Sequence, residues 1–225
     1  MLRNEVIAIN TASPFFSVVI TTYNRAVLLN RAINSLIAQT EKDWEVIIID
    51  DESTDDTASQ ILKYLQPKIR IRYVQQLSKG YAGAKNTGIF LSLGKYITFL
   101  DSDDEYAPTH LEIRKKLIKE NHSPDFLHGG VKIIGSPFVP DKNNYGGMIN
   151  LSECVIGGTF FIRRQLAFNM GGFPEIPLGS DAALFEKISK IAPNIIKTEV
   201  PTYIYHRENE NSITNNLTRL RKISV

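Results

Sequence analysis

Two clusters of acidic residues each follow an apolar, strand-like run of the chain. The first follows residues 44–49 and the second follows residues 95–100. Their members are Asp50, Asp51, Asp101, Asp103 and Asp104. Carboxylates that meet at close range disfavour joint ionisation, and a divalent cation relieves the repulsion. Oxygen ligands with room for water suit Mn²⁺ or Mg²⁺ better than zinc. An isolated Asp-Ser-Asp-Asp would be an ordinary turn.

The elements that must position these carboxylates alternate along the first half of the chain. The strands are predicted at residues 17–22, 44–50, 69–74 and 95–100, and the helices at 25–39, 53–65 and 82–93. Asn24 is predicted to cap the first helix. This order predicts a doubly wound, mainly parallel α/β sheet with helices on both faces. Such sheets bind ligands beyond the carboxyl ends of their strands, where a third polar segment, Thr21–Asn24, also lies. Three aligned strand ends favour a metal–nucleotide site.

The second half of the chain is richer in loops. Helices are predicted at residues 108–121 and 181–191, with extended segments at 126–134, 159–163 and 198–205. A stretch rich in Gly, Pro and Asn occupies residues 135–147. Long loops in a compact domain often form substrate sites or lids.

Composition excludes several classes of protein. The chain has 225 residues, 43% of them hydrophobic, and a net charge of +2. That small charge argues against a nucleic-acid partner. The single cysteine, Cys154, excludes an internal disulfide framework and suits a reducing compartment. No spanning segment or signal peptide is evident, so we expect a cytoplasmic protein. The basic residues Arg219–Lys222 would allow peripheral contact with the inner face of the membrane, and a solvated terminal helix is the alternative.

Five segments carry a resemblance to a known family. They are residues 14–24, 39–40, 44–57, 80–89 and 94–104. Together they resemble the opening of family-2 glycosyltransferases of the GT-A fold. The resemblance is dense from Phe15 to Pro108 and thinner to His206. It implies an N-terminal extension (1–14), a nucleotide-sugar-binding half (15–107), an acceptor-binding half of the same domain (108–206) and a C-terminal tail (207–225).

The resemblance also implies roles for donor-side residues. Thr21 and Asp51 match positions that hold the nucleotide base, Asp101 lies near the ribose and the metal, and Asp103 matches the direct ligand of a divalent cation, Mn²⁺ or Mg²⁺. Lys85 replaces the family's usual Arg, and Ser78 replaces its usual Asn. The complete set of implied donor-binding residues is Thr21, Tyr23, Asp50, Asp51, Gly80, Lys85, Asp101, Ser102 and Gly158.

Acceptor-side roles come from residues 170–185, which resemble a second motif of the family. Asp181 matches the catalytic base, with helix capping as the alternative reading. Ser180 replaces the family's usual Glu. Gly157–Thr159 is expected to open the sugar pocket, or else to be an ordinary turn. His206 matches a position that can reach the metal, and an exposed loop histidine is the alternative.

The function implied is metal-assisted, inverting transfer of a sugar. The donor is a nucleoside diphosphate sugar, expected to be UDP-linked, and the acceptor is the hydroxyl of a saccharide or a lipid-linked molecule, in bacterial surface polysaccharide or glycoconjugate synthesis. A non-catalytic nucleotide-sugar-binding scaffold on the same fold remains an alternative. A sugar nucleotidyltransferase is disfavoured because no glycine-rich loop follows the first strand. A dinucleotide oxidoreductase is disfavoured because no Gly-x-Gly-x-x-Gly occurs there. The oligomeric state is left open.

Overall fold

A seven-stranded sheet forms the centre of the molecule in the computed structural model, which describes residues 13–65, 69–141, 144 and 146–208. Its strands are β1 (Phe16–Thr22), β2 (Trp44–Asp51), β3 (Ile71–Gln76), β4 (Tyr96–Phe99), β6 (Phe126–His128), β10 (Phe161–Arg163) and β11 (Ile195–Lys197). The order across the sheet is β11-β6-β10-β4-β1-β2-β3. Only β10 runs antiparallel to its neighbours, β4 and β6. The predicted mainly parallel α/β sheet is therefore confirmed.

Helices cover both faces of this sheet. They are α1 (Ala26–Ile37), α2 (Thr57–Leu62), α3 (Gly80–Leu91), α4 (His110–Glu120), α5 (Arg164–Asn169) and α6 (Ser180–Ser189). Leu29 of α1 and Leu111 of α4 belong to the core on one face. Ile89 of α3 and Leu184 of α6 belong to the core on the other face. Strand β2 is buried along its whole length, which explains why its central residues 46–49 are apolar without alternation.

A smaller sheet lies beside the carboxyl end of β4. It contains β5 (Glu105–Tyr106), β7 (Val131–Ile134) and β12 (Tyr203–His206), with β12 in the middle. Strands β8 (Phe138–Pro140) and β9 (Met148–Asn150) form a separate antiparallel pair. Because β5 follows the acidic segment and β12 comes from the far end of the chain, this sheet joins the two predicted halves.

Two extended segments differ from prediction. The single segment expected at 126–134 is two strands, which belong to different sheets. Gly129 and Gly130 separate them with φ of +90° and +74°, a backbone that side chains rarely adopt. The segment expected at 198–205 is a strand only from Tyr203 onward.

The predicted cap of α1 is wrong. Asn24 has φ of +49° and does not cap the helix. Instead, the Asp55 carboxylate accepts a hydrogen bond from the Ala26 amide at 3.1 Å. Helix α1 is thus capped from another loop, which sequence pattern alone does not reveal.

No helix within the described ranges is long and apolar enough to cross a membrane. The basic segment Arg219–Lys222 and most of the predicted N-terminal extension lie outside the described residues.

Candidate active site

The loops after β1 and β2 are joined to each other by hydrogen bonds. The Asn24 amide donates to Ser53 Oγ at 2.8 Å, and Asn24 Oδ1 accepts from the Thr54 amide at 2.8 Å. The predicted meeting of strand ends is therefore correct at this edge. Thr21 lies half-buried in β1, whereas Tyr23 is 57% exposed beside the joined loops.

Asp51 anchors the start of α3. Its two carboxylate oxygens accept four hydrogen bonds, from Gln76 Nε2 (2.7 Å), Ser78 Oγ (3.0 Å), the Lys79 amide (2.9 Å) and the Gly80 amide (2.9 Å). Gly80 has φ of +70°, a backbone conformation that favours glycine. A nucleotide base that bonds to Asp51 would have to share the carboxylate with these four donors or replace one of them.

Asp50 is fully buried at the same strand end. It accepts hydrogen bonds from Tyr73 Oη at 2.7 Å and from the Ser53 amide at 2.9 Å. Burial is the main cause that raises the pKa of Tyr73, and the Asp50 carboxylate adds to it. Tyr73 therefore stays protonated as a donor, and Asp50 holds the loop rather than facing a ligand.

Lys85 is the cation buried at the centre of the site. Its Nζ lies 3.2 Å from Asp101 Oδ1, and it donates to the Tyr81 hydroxyl. The ammonium also lies 4.0 Å from the Tyr81 ring centroid and 5.2 Å from that of Phe173. These contacts stabilise a buried positive charge that would otherwise be costly.

Asp101 lies among charges of both signs. Burial is the main cause that raises its pKa; Asp103 and Asp181 raise it further, and Lys85 opposes them. Any additional cation near such a carboxylate would stabilise its ionised form.

Asp103 is paired with arginine. It forms an ion pair with Arg25 and its carbonyl accepts a hydrogen bond from Arg31. Within the described part of the chain, no three His, Cys, Asp or Glu side chains are grouped to hold a metal ion by themselves. The Asp101–Asp103 pair nevertheless fits a Mg²⁺- or Mn²⁺-type site in which one or two carboxylates are completed by substrate phosphates.

Asp104 points away from the Asp101–Asp103 pair and into the protein. It is fully buried and accepts from Tyr203 Oη at 2.6 Å and from the His206 amide at 2.8 Å. Burial, followed by the charges of Asp101 and Asp103, raises the pKa of Asp104 well above its usual range. Ser102, in the same turn, is also buried.

Asp181 comes from the second half of the chain and faces the same space. It lies in the first turn of α6, after Gly179, so the alternative of a simple helix cap is wrong. Asp181 Oδ2 accepts a hydrogen bond from the Gly157 amide at 3.0 Å. Asp181 Oδ1 is buried and has no hydrogen-bond partner among the described residues. One oxygen is thus fixed and the other remains able to accept a proton.

Tyr81 lies between the two sides of the site. Burial raises the pKa of its hydroxyl well above its usual range, and the negative charges of Asp101 and then Asp181 raise it further. The acidic strand end and Asp181 are therefore close enough to act on one hydroxyl. This agrees with the effect of Asp181 on the pKa of Asp101.

Gly157–Thr159 form one turn of 3₁₀ helix and are buried. A Cβ atom on Gly157 would lie 2.5 Å from the Asp181 carboxyl carbon, and one on Gly158 would lie 2.2 Å from Tyr203 Oη. Gly158, predicted to bind the donor, has an evident packing role here. No sugar contact is needed to explain either glycine.

His206 is buried in β12, so the alternative of an exposed loop histidine is wrong. Its Nε2 lies 3.0 Å from Glu105 Oε1, and its Nδ1 lies 3.8 Å from Glu208 Oε2. The ring therefore faces two glutamates, while its main-chain amide bonds to Asp104. Its predicted role at the metal stays a prediction.

Three side chains of the site were not predicted from sequence: Arg25, Tyr81 and Tyr203. Arg25 lies directly after the predicted segment Thr21–Asn24, so adjacency was the available signal. The ring positions of Tyr81 and Tyr203 depend on packing between distant elements and carry no local pattern.

Comparison with known proteins gives a consistent result. A family model described as Glycosyl transferase family 2 matches residues 17–170. The Escherichia coli protein UDP-Glc:alpha-D-GlcNAc-diphosphoundecaprenol beta-1,3-glucosyltransferase WfgD is 30% identical over 164 residues, which cover 70% of this chain and 63% of WfgD. The chain therefore spans less than two thirds of that relative.

Solved structures share the fold. Staphylococcus aureus TarS 1–349 in complex with UDP-GlcNAc matches with a TM-score of 0.73 and 23% identity, over 92% of this chain and 65% of that one. The mannosyltransferase PcManGT from Pyrobaculum calidifontis, in complex with GDP-Man and Mn²⁺, matches with a TM-score of 0.71 and 20% identity. That match covers 94% of this chain and 61% of PcManGT. At these identities the likeness establishes the GT-A fold alone.

Proposed function

The chain belongs to glycosyl transferase family 2, and from that premise we propose that it transfers a sugar from a nucleoside diphosphate sugar to an acceptor hydroxyl with inversion. One observation carries the proposal. Two carboxylates that suit a cation–diphosphate site, Asp101 and Asp103, lie near a third carboxylate, Asp181, which keeps one oxygen without a partner among the described residues. A donor and a general base are both needed for this reaction, and the arrangement supplies a position for each.

Asp181 would act as the general base. The Gly157 amide fixes Oδ2, so Oδ1 is held in one direction. It would take the proton of the acceptor hydroxyl while that oxygen attacks the anomeric carbon. The bond from the anomeric carbon to the diphosphate breaks on the opposite face, and a single displacement inverts the configuration. General-base catalysis of this kind contributes roughly 10²–10⁴-fold.

Asp101 and Asp103 would hold the divalent cation together with the donor diphosphate. When bound, the cation would neutralise charge on the leaving diphosphate. Lys85 would supply a second positive charge, held against Asp101 and Tyr81. Arg25 keeps Asp103 charge-balanced and would have to yield at least part of that contact to the cation.

The donor side would bind the nucleotide at the ends of β1 and β2. Thr21, Tyr23, Asp51 and Gly80 would contact the nucleoside, with Asp50 holding the loop from below. A UDP-linked donor is supported by the names of WfgD, which uses UDP-Glc, and of the TarS complex with UDP-GlcNAc. Ser102, Gly158 and His206 complete the proposed site.

The acceptor would be a saccharide carried on a lipid diphosphate, in bacterial glycoconjugate synthesis. This is supported by WfgD, whose name specifies a diphosphoundecaprenol acceptor. Such an acceptor would bring the reaction to a membrane surface. A non-catalytic scaffold would retain nucleotide binding but would have no need for the orientated carboxylate of Asp181.

Thermal melting with nucleotides is the direct test of the donor site. UDP, GDP, CDP, TDP and ADP would each be added with and without Mn²⁺. A ligand that binds the folded state raises the melting midpoint. We expect a rise with UDP that requires Mn²⁺, followed by sugar transfer to a diphospholipid-linked GlcNAc acceptor. No rise with any nucleotide would refute the proposal, and binding without transfer would favour the scaffold.

A further inference from the structure

The Tyr203 hydroxyl occupies a central position between the two halves of the proposed site. It donates to Asp104 Oδ2 at 2.6 Å and lies 3.4 Å from the Asp101 amide, which donates to it. Tyr203 and Asp104 are both fully buried. The hydroxyl therefore joins two positions of the acidic segment after β4, one on each side of Asp103.

The ring of the same tyrosine fixes the turn that orients the base. A Cβ atom on Gly158 would lie 2.2 Å from Tyr203 Oη and 2.3 Å from its Cζ, so the backbone of the turn lies directly against the ring. The preceding residue, Gly157, donates its amide to Asp181 at 3.0 Å. A shift of the ring would move this amide and with it the carboxylate.

We propose that Tyr203 is a positioning residue for the transfer reaction: its hydroxyl and ring set the placement of the Asp101–Asp103 carboxylates relative to Asp181. This inference rests on the proposed function, because it assigns Asp103 to the donor and Asp181 to the acceptor. Tyr203 touches neither reactant. It acts through Asp104 on one side and through Gly157–Gly158 on the other.

The requirement for such a link is geometric. Asp103 and Asp181 come from different halves of the chain, and reaction needs donor and acceptor atoms within about 3–3.5 Å in a defined orientation. A mutation far from the reacting atoms that misplaces them by about 1 Å can lower the rate by about 10²-fold. Asp104 also accepts from the His206 amide at 2.8 Å, so β12 is held to the acidic segment at two points.

The test compares Tyr203→Phe with Tyr96→Phe. Tyr96 is an equally buried tyrosine at the amino end of β4, and its hydroxyl donates to the Pro124 carbonyl, also at 2.6 Å. Tyr96→Phe loses one short buried hydrogen bond. Tyr203→Phe loses one of the same length and also the longer one from the Asp101 amide. Both variants should therefore melt a few degrees below the wild type. The measurements are kcat and donor KM for transfer from UDP-glucose, and Kd for UDP with Mn²⁺.

We expect Tyr203→Phe to lower kcat at least tenfold while donor KM and the Kd for UDP change less than threefold. Tyr96→Phe should leave kcat within twofold of the wild type. An unchanged kcat in Tyr203→Phe, or an equal loss in Tyr96→Phe, would overturn the inference. Wild-type protein that neither binds UDP nor transfers sugar would instead refute the proposed function, so the two failures are distinguishable.

Asp104→Asn provides a second variant should Tyr203→Phe fail to fold. The amide keeps the size of the side chain and one oxygen that accepts hydrogen bonds. We expect a kcat below that of the wild type, again without a change in donor KM. A kcat equal to that of the wild type would also overturn the inference, because Asp104 is the group through which the Tyr203 hydroxyl is proposed to act.

Discussion

The two halves of the site use their polar side chains in different ways. On the donor side, the carboxylates of Asp50 and Asp51 accept six hydrogen bonds between them and hold the loops after β2 and before α3. On the acceptor side, Asp181 makes one such bond and leaves its second oxygen without a partner in the described structure. We therefore predict that changes on the proposed donor side alter binding and stability together, whereas changes on the proposed acceptor side alter catalysis without altering stability.

The largest effect that tests this contrast is expected from Asp181→Asn. The amide can still accept from the Gly157 amide, so the fold and nucleotide binding should be unchanged. Loss of the general base should lower kcat by about 10²–10⁴-fold. Transfer assays and UDP binding with Mn²⁺ check this. Glu186→Gln, on the exposed part of the same helix, serves as the control, and normal transfer by Asp181→Asn would place the base elsewhere.

Asp51→Ala should affect both binding and stability. Four donors lose their acceptor, and water can satisfy only those that are exposed. We expect a loss of about 2 kcal/mol in the free energy of unfolding. For a chain of this size that lowers the melting midpoint by about 4–8 °C. UDP affinity should fall at least tenfold.

Calorimetry and thermal melting measure the two effects of Asp51→Ala together. Asp56→Ala is the matched control, since Asp56 is an exposed carboxylate in the same loop that makes no capping hydrogen bond. If Asp51→Ala lowered UDP affinity at unchanged stability, the coupling that distinguishes the donor half would be disproved.

Arg25→Gln should strengthen binding of Mn²⁺. The guanidinium and a cation compete for the Asp103 carboxylate, and partly exposed ion pairs contribute about 0.2–1 kcal/mol. Removing the arginine should therefore tighten Mn²⁺ about two- to fivefold in titrations without nucleotide. Asp103→Ala should abolish the Mn²⁺ dependence of UDP binding. Weaker Mn²⁺ binding by Arg25→Gln would indicate that Arg25 supports the cation site.

The last prediction concerns acid stability away from the site. Burial, followed by the charge of Lys197, lowers the pKa of His128 from 6.5 to about 4. Because the pKa of this histidine is lower in the folded protein, the unfolded protein binds a proton here more tightly than the folded protein does. Its contribution is present above pH 6.5 and is lost as the pH falls toward 4. We expect His128→Gln to flatten the stability curve in this window by on the order of 2 kcal/mol.

Urea unfolding at pH 7, 5.5 and 4 would measure this change. His122→Gln removes an exposed histidine and should leave the curve as it is in the wild type. If the stability of His128→Gln fell with pH in parallel with that of the wild type, this histidine would not contribute to acid unfolding.

Much of the fold could be predicted from sequence because its signals are local. The run Trp44–Asp50 has consecutive apolar residues at 46–49, and this indicated a central strand that is buried on both faces. The alternation of such runs with helical patterns indicated the parallel order. Boundaries were less accurate at α2 and β12, where short elements depend on contacts with other parts of the chain.

The candidate site was predicted unevenly for the same reason. Asp50, Asp51, Asp101 and Asp103 follow strands, so the rule for parallel sheets placed them at one edge. The capping role predicted for Asn24 and the alternative capping role of Asp181 were wrong, because each side chain bonds to a loop distant in sequence. Residue preferences at the start of a helix do not reveal a partner that is distant in sequence.

The sequence by itself determined the order of strands and helices, the acidic strand ends and the position of Asp181 in a family motif. These follow from periodicity and from residue types within short windows. The tertiary structure alone decided which groups pair: Arg25 with Asp103, Tyr203 with Asp104, and Gly157 with Asp181, across 78, 99 and 24 residues of chain. Such pairs depend on how whole elements pack, since a hydrogen bond or ion pair requires contact in space and leaves no pattern in the intervening sequence.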